Sequence, residues 1–306
     1  MKNKIVMVGL TSLFLTFNAV AAEYQLNGLS LNASLGVLSG KAHEYVYYPH
    51  RESQLSQLDW RIKNAALLNG ELNYDVLSWL SLNGRGWTTL AKNKAAMDDY
   101  DWFNPYQEDW THWSHHENTH LNYANGLDLS LRAWLMQNQN YKLGLAAGYQ
   151  WDAFSWRALG GCYEYNNGMN IGCFPDNFPG IGYQQKFRTP YVGLAGKYFI
   201  NNFEFNALLK YSNWVSARDH DEHYARQLTF KDQGNHFGYY AATLNAGYFV
   251  TRGAKIFVEG SYNHFSNGHA DTEIINKFSG AHGYESDSAG LSNKNYSLAL
   301  GMQYTF

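Results

Sequence analysis

The chain has 306 residues, of which 17% are aromatic and only 16% are charged, and its formal net charge is −3. Disordered chains are poor in aromatic residues, and two cysteines are too few for a disulfide scaffold, so the composition argues against both classes. Beyond residue 22 no apolar run approaches the about 20 residues that a membrane helix needs, which favours strands with alternating apolar and polar faces.

The N-terminal segment has the pattern of a secretory signal peptide. Two lysines precede an apolar stretch over residues 5–17, and alanines follow up to Ala22. This pattern predicts a signal peptide over residues 1–22, with a charged start, an apolar stretch too short to span a membrane and a cleavage site of small residues. Loss of two lysines and no acid changes the net charge from −3 to −5 over residues 23–306. We therefore expect an exported single domain without a nucleic-acid partner.

A period of two recurs through the exported part of the chain. Alternate positions are apolar in residues 29–37, 127–135, 203–211, 240–248 and 256–262. The last such segment, residues 296–306, ends in the aromatic Phe306, as the closing strand of bacterial outer-membrane barrels does. In such barrels the apolar face contacts lipid and the polar face lines the lumen.

Connections between these segments alternate in length. Short turns are predicted at residues 69–71, 137–140, 200–202 and 251–254, and long polar loops near 48–55, 91–118, 159–180, 221–236 and 273–292. Four short turns and five long loops join ten strands. The sequence thus predicts an all-β, ten-stranded antiparallel transmembrane β-barrel, with short periplasmic turns and long extracellular loops.

Two acidic segments lie where these strands leave the predicted membrane. Asp99 and Asp101 are two residues apart and share one strand face, and Asp219, Asp221 and His223 share another. An aspartate beside a histidine makes it a general base for water, and two carboxylates opposite could hold that water. The alternative interpretation is a solvated acidic loop.

Five short motifs identify a family. They are residues 39–41 (SGK), 56–60 (SQLDW), 97–102 (MDDYDW), 121–125 (LNYAN) and 221–224 (DEHY). These motifs closely resemble those of the omptins, outer-membrane proteases of Gram-negative bacteria. The likeness extends from about residue 26 to Phe306, with the motifs in the family's order.

The resemblance implies a monomeric barrel protease with its active site at the extracellular mouth. By position, Asp221 and His223 correspond to the dyad that activates a water molecule. Asp99 and Asp101 correspond to the residues that face the dyad and place the water and the scissile carbonyl. The water attacks directly, so no acyl-enzyme is expected.

The resemblance also implies a specificity for basic residues. Omptins cleave polypeptides after Arg or Lys, preferably between two basic residues, and the family's acidic S1 pocket corresponds to Glu44 and Asp219. A pair of carboxylates suits a guanidinium, which it can bind through bidentate hydrogen bonds. The alternative for Glu44 is one more polar side chain of the lumen.

Lipopolysaccharide is the activator that the resemblance implies, bound on the barrel wall and contacting Tyr149 and Lys186. Lys186 stands where an arginine is usual, and Trp151, Ala153 and Asn235 replace an acid, a second arginine and a lysine of the family's set. Phosphate groups lose bidentate partners by these replacements. We expect the dependence on lipopolysaccharide to be weakened or to rest on other residues.

An H-E-x-x-H motif from His116 to His120 indicates a zinc protease as an alternative function. That motif requires a helix, but the segment runs into a predicted strand. On a strand the two histidines would be about 13 Å apart, too far to share a zinc ion. We therefore expect neither a metal nor another cofactor, although His112, His115 and His116 could bind metal adventitiously.

The two cysteines, Cys162 and Cys173, bracket ten residues of a predicted outer loop. An exported chain with an even cysteine count usually oxidises such a pair, so we expect a disulfide, with free thiols as the alternative.

Two other functions remain open at this point. A non-enzymatic barrel, either a surface adhesin or a small porin, would have the same shell. A serine protease mechanism is the third possibility.

Overall fold

The computed structural model describes residues 28–48 and 53–306. The predicted signal peptide, residues 1–22, lies outside the described residues. In these two ranges no helix has the length and apolar character to cross a membrane. The strands are β1 (Leu29–Tyr47), β2 (Gln54–Leu77), β3 (Leu80–Thr89), β4 (Asn93–Asp101), β5 (His112–Gln137), β6 (Tyr141–Tyr165), β7 (Asn170–Ile200), β8 (Phe203–His223), β9 (Leu228–Phe249), β10 (Ala254–Asn276) and β11 (His282–Thr305).

All strands join in one antiparallel ring. Strands that are adjacent along the chain pair with each other, apart from β3 and β4, and β1 closes the ring by pairing with both β11 and β2. Both β3 and β4 lie between β2 and β5, so they form one wall position that is interrupted at residues 90–92. The predicted ten-stranded antiparallel barrel is therefore confirmed.

One predicted turn is wrong. Strand β2 runs without a break through residues 69–71, and the chain reverses at residues 78–79 instead. Asn69 donates a hydrogen bond to Ser34 Oγ (3.1 Å), and Glu71 forms an ion pair with Arg85 in the lumen (3.6 Å). These polar residues resembled a turn because the polar face of a membrane strand lines the lumen.

The predicted long loops are mostly strand. Residues 159–180, for example, belong almost entirely to β6 and β7, and 221–236 mostly to β8 and β9. Above the lipid both faces of a strand can be polar, so the alternation disappears from the sequence while backbone pairing continues. The outer connections are therefore tall hairpins whose walls can position side chains precisely in register.

The acidic segments lie outside the lipid-facing band. Outward-facing apolar side chains are well exposed, such as Leu300 at 66%. On β1 the last of them is Val37, seven residues before Glu44, and on β8 the last is Trp214, seven residues before Asp221. At about 3.3 Å per residue and a tilt of about 45°, these acids stand roughly 15 Å or more beyond the band.

Side chains fill the lumen beneath these acids. Arg85 pairs with Glu259 (2.5 Å) and Lys255 with Glu204 (2.6 Å). Above these ion pairs an aromatic layer crosses the barrel, in which Trp60 stacks on Tyr183 at 5.1 Å and Trp156 lies 6.0 Å from Tyr183. A small porin needs an open lumen, so this filling argues against that alternative and gives the upper cleft a rigid floor.

Candidate active site

A buried aspartate and a histidine form a pair at the outer end of β8. Because Asp221 and His223 are two residues apart on a strand, both point into the barrel mouth. His223 Nε2 lies 2.6 Å from Asp221 Oδ2, and the side chains are only 13% and 2% exposed. With Nε2 occupied by the aspartate, Nδ1 is the ring nitrogen left to accept a proton.

The pair holds the histidine in a basic state. Burial alone would lower the pKa of His223, but the charge of Asp221 and its hydrogen bond outweigh burial, so this pKa is raised above the ordinary value of 6.5. A stronger base takes a proton from water more readily, and the aspartate stabilises the imidazolium that results.

Asp99 and Asp101 face this pair from β4. Burial, and then the negative charge of Asp101, raise the pKa of Asp99 to about 8, while the positive charge of His223 opposes them. Burial also raises the pKa of Asp101, and a hydrogen bond from Ser56 opposes that rise. Ser56 Oγ also lies 3.5 Å from Asp99 Oδ1. The two acidic segments predicted from the sequence therefore come together across the mouth, and one aspartate retains a proton near neutral pH.

Three further residues act at this mouth, and the sequence analysis assigned none of them to the active site. Burial, and then the charges of Asp99 and Asp101, raise the pKa of Tyr165 to about 12. Its ring lies 5.1 Å from that of His112, whose charge acts on Asp101. The third is Arg226, in the turn after β8, whose charge acts on Asp99. Tyr165 and His112 join the site through strand register and Arg226 through the turn after β8, and the sequence pattern alone determines neither.

The disulfide lies in the hairpin that carries Tyr165. Cys162 and Cys173 occupy directly paired positions of β6 and β7 and are bonded, with Sγ–Sγ at 2.10 Å. Next to them Tyr163 stacks on Tyr165 at 4.5 Å and contacts Phe174 at 5.1 Å. The crosslink and this aromatic cluster together order one wall of the cleft.

Removing the crosslink should loosen that wall only. In a Cys162→Ser/Cys173→Ser variant we expect the free energy of local opening to fall by about 2–3 kcal/mol, because a short loop is no longer closed in the open state. Hydrogen exchange of the hairpin amides measures this directly, and the amides of the lipid-facing strands serve as the internal control. Unchanged exchange in residues 159–176 would contradict the expectation.

An acidic pocket lies beside the dyad. Glu44 on β1 and Asp219 on β8, the pair that the family resemblance implies, lie close together, and Asp232 on β9, which the sequence analysis did not find, joins them. One carboxylate oxygen from each lies within 4.8 Å of the others. Burial, followed by the charges of Asp221 and Asp219, raises the pKa of Glu44 well above 4.5. A pocket of this kind suits a cationic side chain.

The residues expected to contact lipopolysaccharide lie on the outer wall. Tyr149 and Trp151 are partly exposed, with ring centroids 4.5 Å apart. Lys186 is exposed on β7 and pairs in register with Arg218 of β8. Arg218 is thus a second cation at this position that the sequence analysis did not identify.

The zinc alternative finds no support in the geometry. His116 and His120 both lie on strand β5, not on a helix. His116 Nε2 lies 3.0 Å from Ser114 Oγ, and His115 Nδ1 lies 2.7 Å from Asp98. Within residues 28–48 and 53–306, the one cluster with the geometry to hold a metal ion consists of the three pocket acids.

The chain is similar in sequence and in structure to known proteins. A model of the Omptin family matches residues 25–306. The plasminogen activator of Yersinia pestis is 47% identical over 310 residues, covering 100% of this chain and 99% of the relative. The outer membrane protease OmpP of Escherichia coli (strain K12) is 41% identical over 284 residues, covering 91% and 90%. The crystal structure of the outer membrane protease OmpT from Escherichia coli superposes with a TM-score of 0.90 at 39% identity, covering 92% of this chain and 98% of that one.

Proposed function

The chain belongs to the omptin family of outer-membrane proteases, and we propose that it cleaves exposed polypeptides after Arg or Lys, preferably between two basic residues. The observation that carries this proposal is the Asp221–His223 pair facing Asp99 and Asp101 beside an acidic pocket. The cleft opens on the side of the long hairpins, so we infer that it faces the cell exterior.

The proposed chemistry is direct attack by water. A water molecule between His223 Nδ1 and the aspartate pair gives one proton to the imidazole, and its oxygen bonds to the scissile carbonyl carbon. Asp221 stabilises the imidazolium, and the protonated carboxyl of Asp99 donates a hydrogen bond to the carbonyl oxygen as negative charge develops there. The imidazolium then protonates the leaving amine, which breaks the C–N bond and restores the free base.

The pocket supplies the preference for basic residues. Glu44 and Asp219 are buried, and a guanidinium or ammonium at P1 compensates their charge where water cannot. The acidic cleft as a whole also attracts cationic polypeptides from solution. This specificity predicts that a neutral P1 side chain of the same shape is a poor substrate.

The rate should depend on pH in a bell shape. On the acid side kcat rises as His223, whose pKa is raised, loses its proton and becomes the base. On the alkaline side kcat falls at about pH 8, because Asp99, whose pKa is raised to about 8, then loses the proton it donates. Measuring kcat from about pH 5 to about pH 10 checks this profile. Saturating substrate keeps the acidic pocket occupied throughout the measurement. A profile that stays level above the pKa of Asp99 would contradict the assigned role.

Lipopolysaccharide binding would use a changed set of residues in this chain. We propose that Lys186 and Arg218 bind its phosphates beside the rings of Tyr149 and Trp151, since both cations are exposed and are neighbours in register. Two adjacent cations partly replace the family's arginines. The barrel acts as a monomer in this scheme, because all of the proposed catalytic groups lie on one chain.

The proposal is tested by presenting peptides to cells and to purified protein. A fluorogenic peptide containing Arg-Arg separates a protease from an adhesin on intact cells that express the chain. Digestion of a diverse peptide library by refolded protein, with and without lipopolysaccharide, then gives the cleavage sites and the lipid requirement. Cleavage without preference for basic residues would overturn the specificity, and inertness toward active-serine reagents would exclude a serine mechanism.

A further inference from the structure

We propose that Asp232 is a third acidic residue of the S1 pocket and that it makes the pocket selective for the guanidinium of arginine over the ammonium of lysine. The inference rests on the proposed function and deepens it, because it concerns which basic residue the same pocket accepts.

Asp232 lies at the same depth as the two acids that the sequence predicted. It is 3% exposed, compared with 2% for Glu44 and 7% for Asp219. Its backbone lies on β9, next to β8, and its carboxylate oxygen is within 4.8 Å of those of the other two acids. A cation that enters between Glu44 and Asp219 must therefore also contact Asp232.

The hydrogen bonds divide the three acids into two roles. Asp219 is held by the protein, since Tyr183 OH donates to its Oδ2 (3.0 Å) and the backbone N–H of Asp232 donates to its Oδ1 (3.1 Å). By contrast, Glu44 Oε2 and Asp232 Oδ1 are buried and, among the described residues, have no hydrogen-bond partner. Buried polar atoms are nearly always paired, so these two oxygens point to a ligand that donates to both.

A second set of side chains, on β10 and β11, orients the carboxylate of Asp232. The Thr272 hydroxyl on β10 stabilises the charged form of this carboxylate and so lowers its pKa, and Ser288 Oγ in turn donates to Thr272 Oγ1 (3.0 Å). Thr272 and Ser288 are themselves buried, at 7% and 2% exposure. The free oxygen of Asp232 is therefore preorganised before a substrate arrives.

Charge and shape together favour a guanidinium. Burial, and then the negative charge of Asp221, raise the pKa of Asp232 to about 7, although the Thr272 hydroxyl opposes this rise. Before a substrate binds, the pocket therefore retains protons that an entering cation replaces. A guanidinium has five N–H donors in a planar fork and can bond two carboxylates from different strands at once. An ammonium is a compact point charge with a larger hydration cost, so it gains less from the third acid.

The test compares Asp232→Asn with the wild-type protein on three peptides that differ only at P1, with arginine, lysine or citrulline. We expect kcat/KM for the arginine peptide to fall about 10- to 100-fold, the effect of losing one charge-assisted hydrogen bond. The lysine peptide should lose less, so the Arg/Lys ratio falls. Asp232→Ser is the second variant and should lower the ratio in the same direction if the asparagine form does not fold.

Asp271→Asn is the matched control. It removes the same charge from the residue beside Thr272, where the side chain is exposed, and should leave the Arg/Lys ratio unchanged. A folded Asp232 variant that keeps the wild-type ratio would overturn the proposal, as would loss of wild-type arginine cleavage on adding a chelator, since the pocket would then hold a metal ion. If the wild type cleaves none of the peptides, the proposed function itself fails, which is a separate result.

Discussion

Replacing His223 by alanine is expected to lower kcat/KM for an Arg-Arg peptide by at least about 10³-fold while the barrel still folds. In the proposed geometry the imidazole is the base that takes the proton of the water, and Nδ1 is its free nitrogen because Nε2 bonds Asp221 at 2.6 Å. Steady-state kinetics on refolded protein measure the loss, and the reduced electrophoretic mobility on heating reports the folded barrel.

The matched control for this variant is His220→Ala. His220 lies three residues earlier on β8, and its side chain is 47% exposed, compared with 13% for His223. It has the same side chain, about 10 Å away along the same strand, but faces away from the mouth. The His220 variant should keep wild-type kinetics, and a purified His223→Ala protein with full activity would end the proposed mechanism.

Removing both aspartates opposite the dyad should lower kcat/KM as much as removing His223 does. In an Asp99→Ala/Asp101→Ala variant we expect kcat/KM to fall at least about 10³-fold, because water loses its second anchor and the carbonyl oxygen loses its donor. Peptide cleavage by the purified variant measures the loss. Asp109→Ala, an exposed aspartate in the connection between β4 and β5, is the control and should be active.

Combining the two changes tests whether the groups act on one water. If they do, the triple variant lacking His223, Asp99 and Asp101 should be nearly as active as either parent, because each parent has already lost the shared step. Multiplied losses would instead mean that the histidine and the aspartates contribute independently, which contradicts a water held between them.

The strands of the lipid-facing half of the barrel could be predicted from the sequence, whereas those of the outer half could be predicted only in part. Residues 296–306 alternate strictly because one face contacts lipid. The turn expected at residues 69–71 was wrong because Glu71 is a lumen charge paired with Arg85. Above the lipid that alternation ends, so long strands were interpreted as loops.

The site shows the same division. Asp99, Asp101, Asp221, His223 and Glu44 were identified through motifs. Asp232 and Tyr165 were not, because their roles depend on strand register: the alternation of Lys231, Asp232 and Gln233 could equally belong to a solvated hairpin. Strand pairing determines which acidic side chains lie close together across the mouth, and this pairing depends on the whole ring of strands.

The central claim is that one water molecule is held between the imidazole and the carboxylates. A high-resolution crystal structure of the wild-type protein, prepared near neutral pH, tests it most directly. We expect an ordered water within about 2.6–3.2 Å of both His223 Nδ1 and a carboxylate oxygen of Asp99. A structure in which these atoms are too far apart for one water to bridge, or in which Nδ1 is bonded to a protein group, would contradict the account.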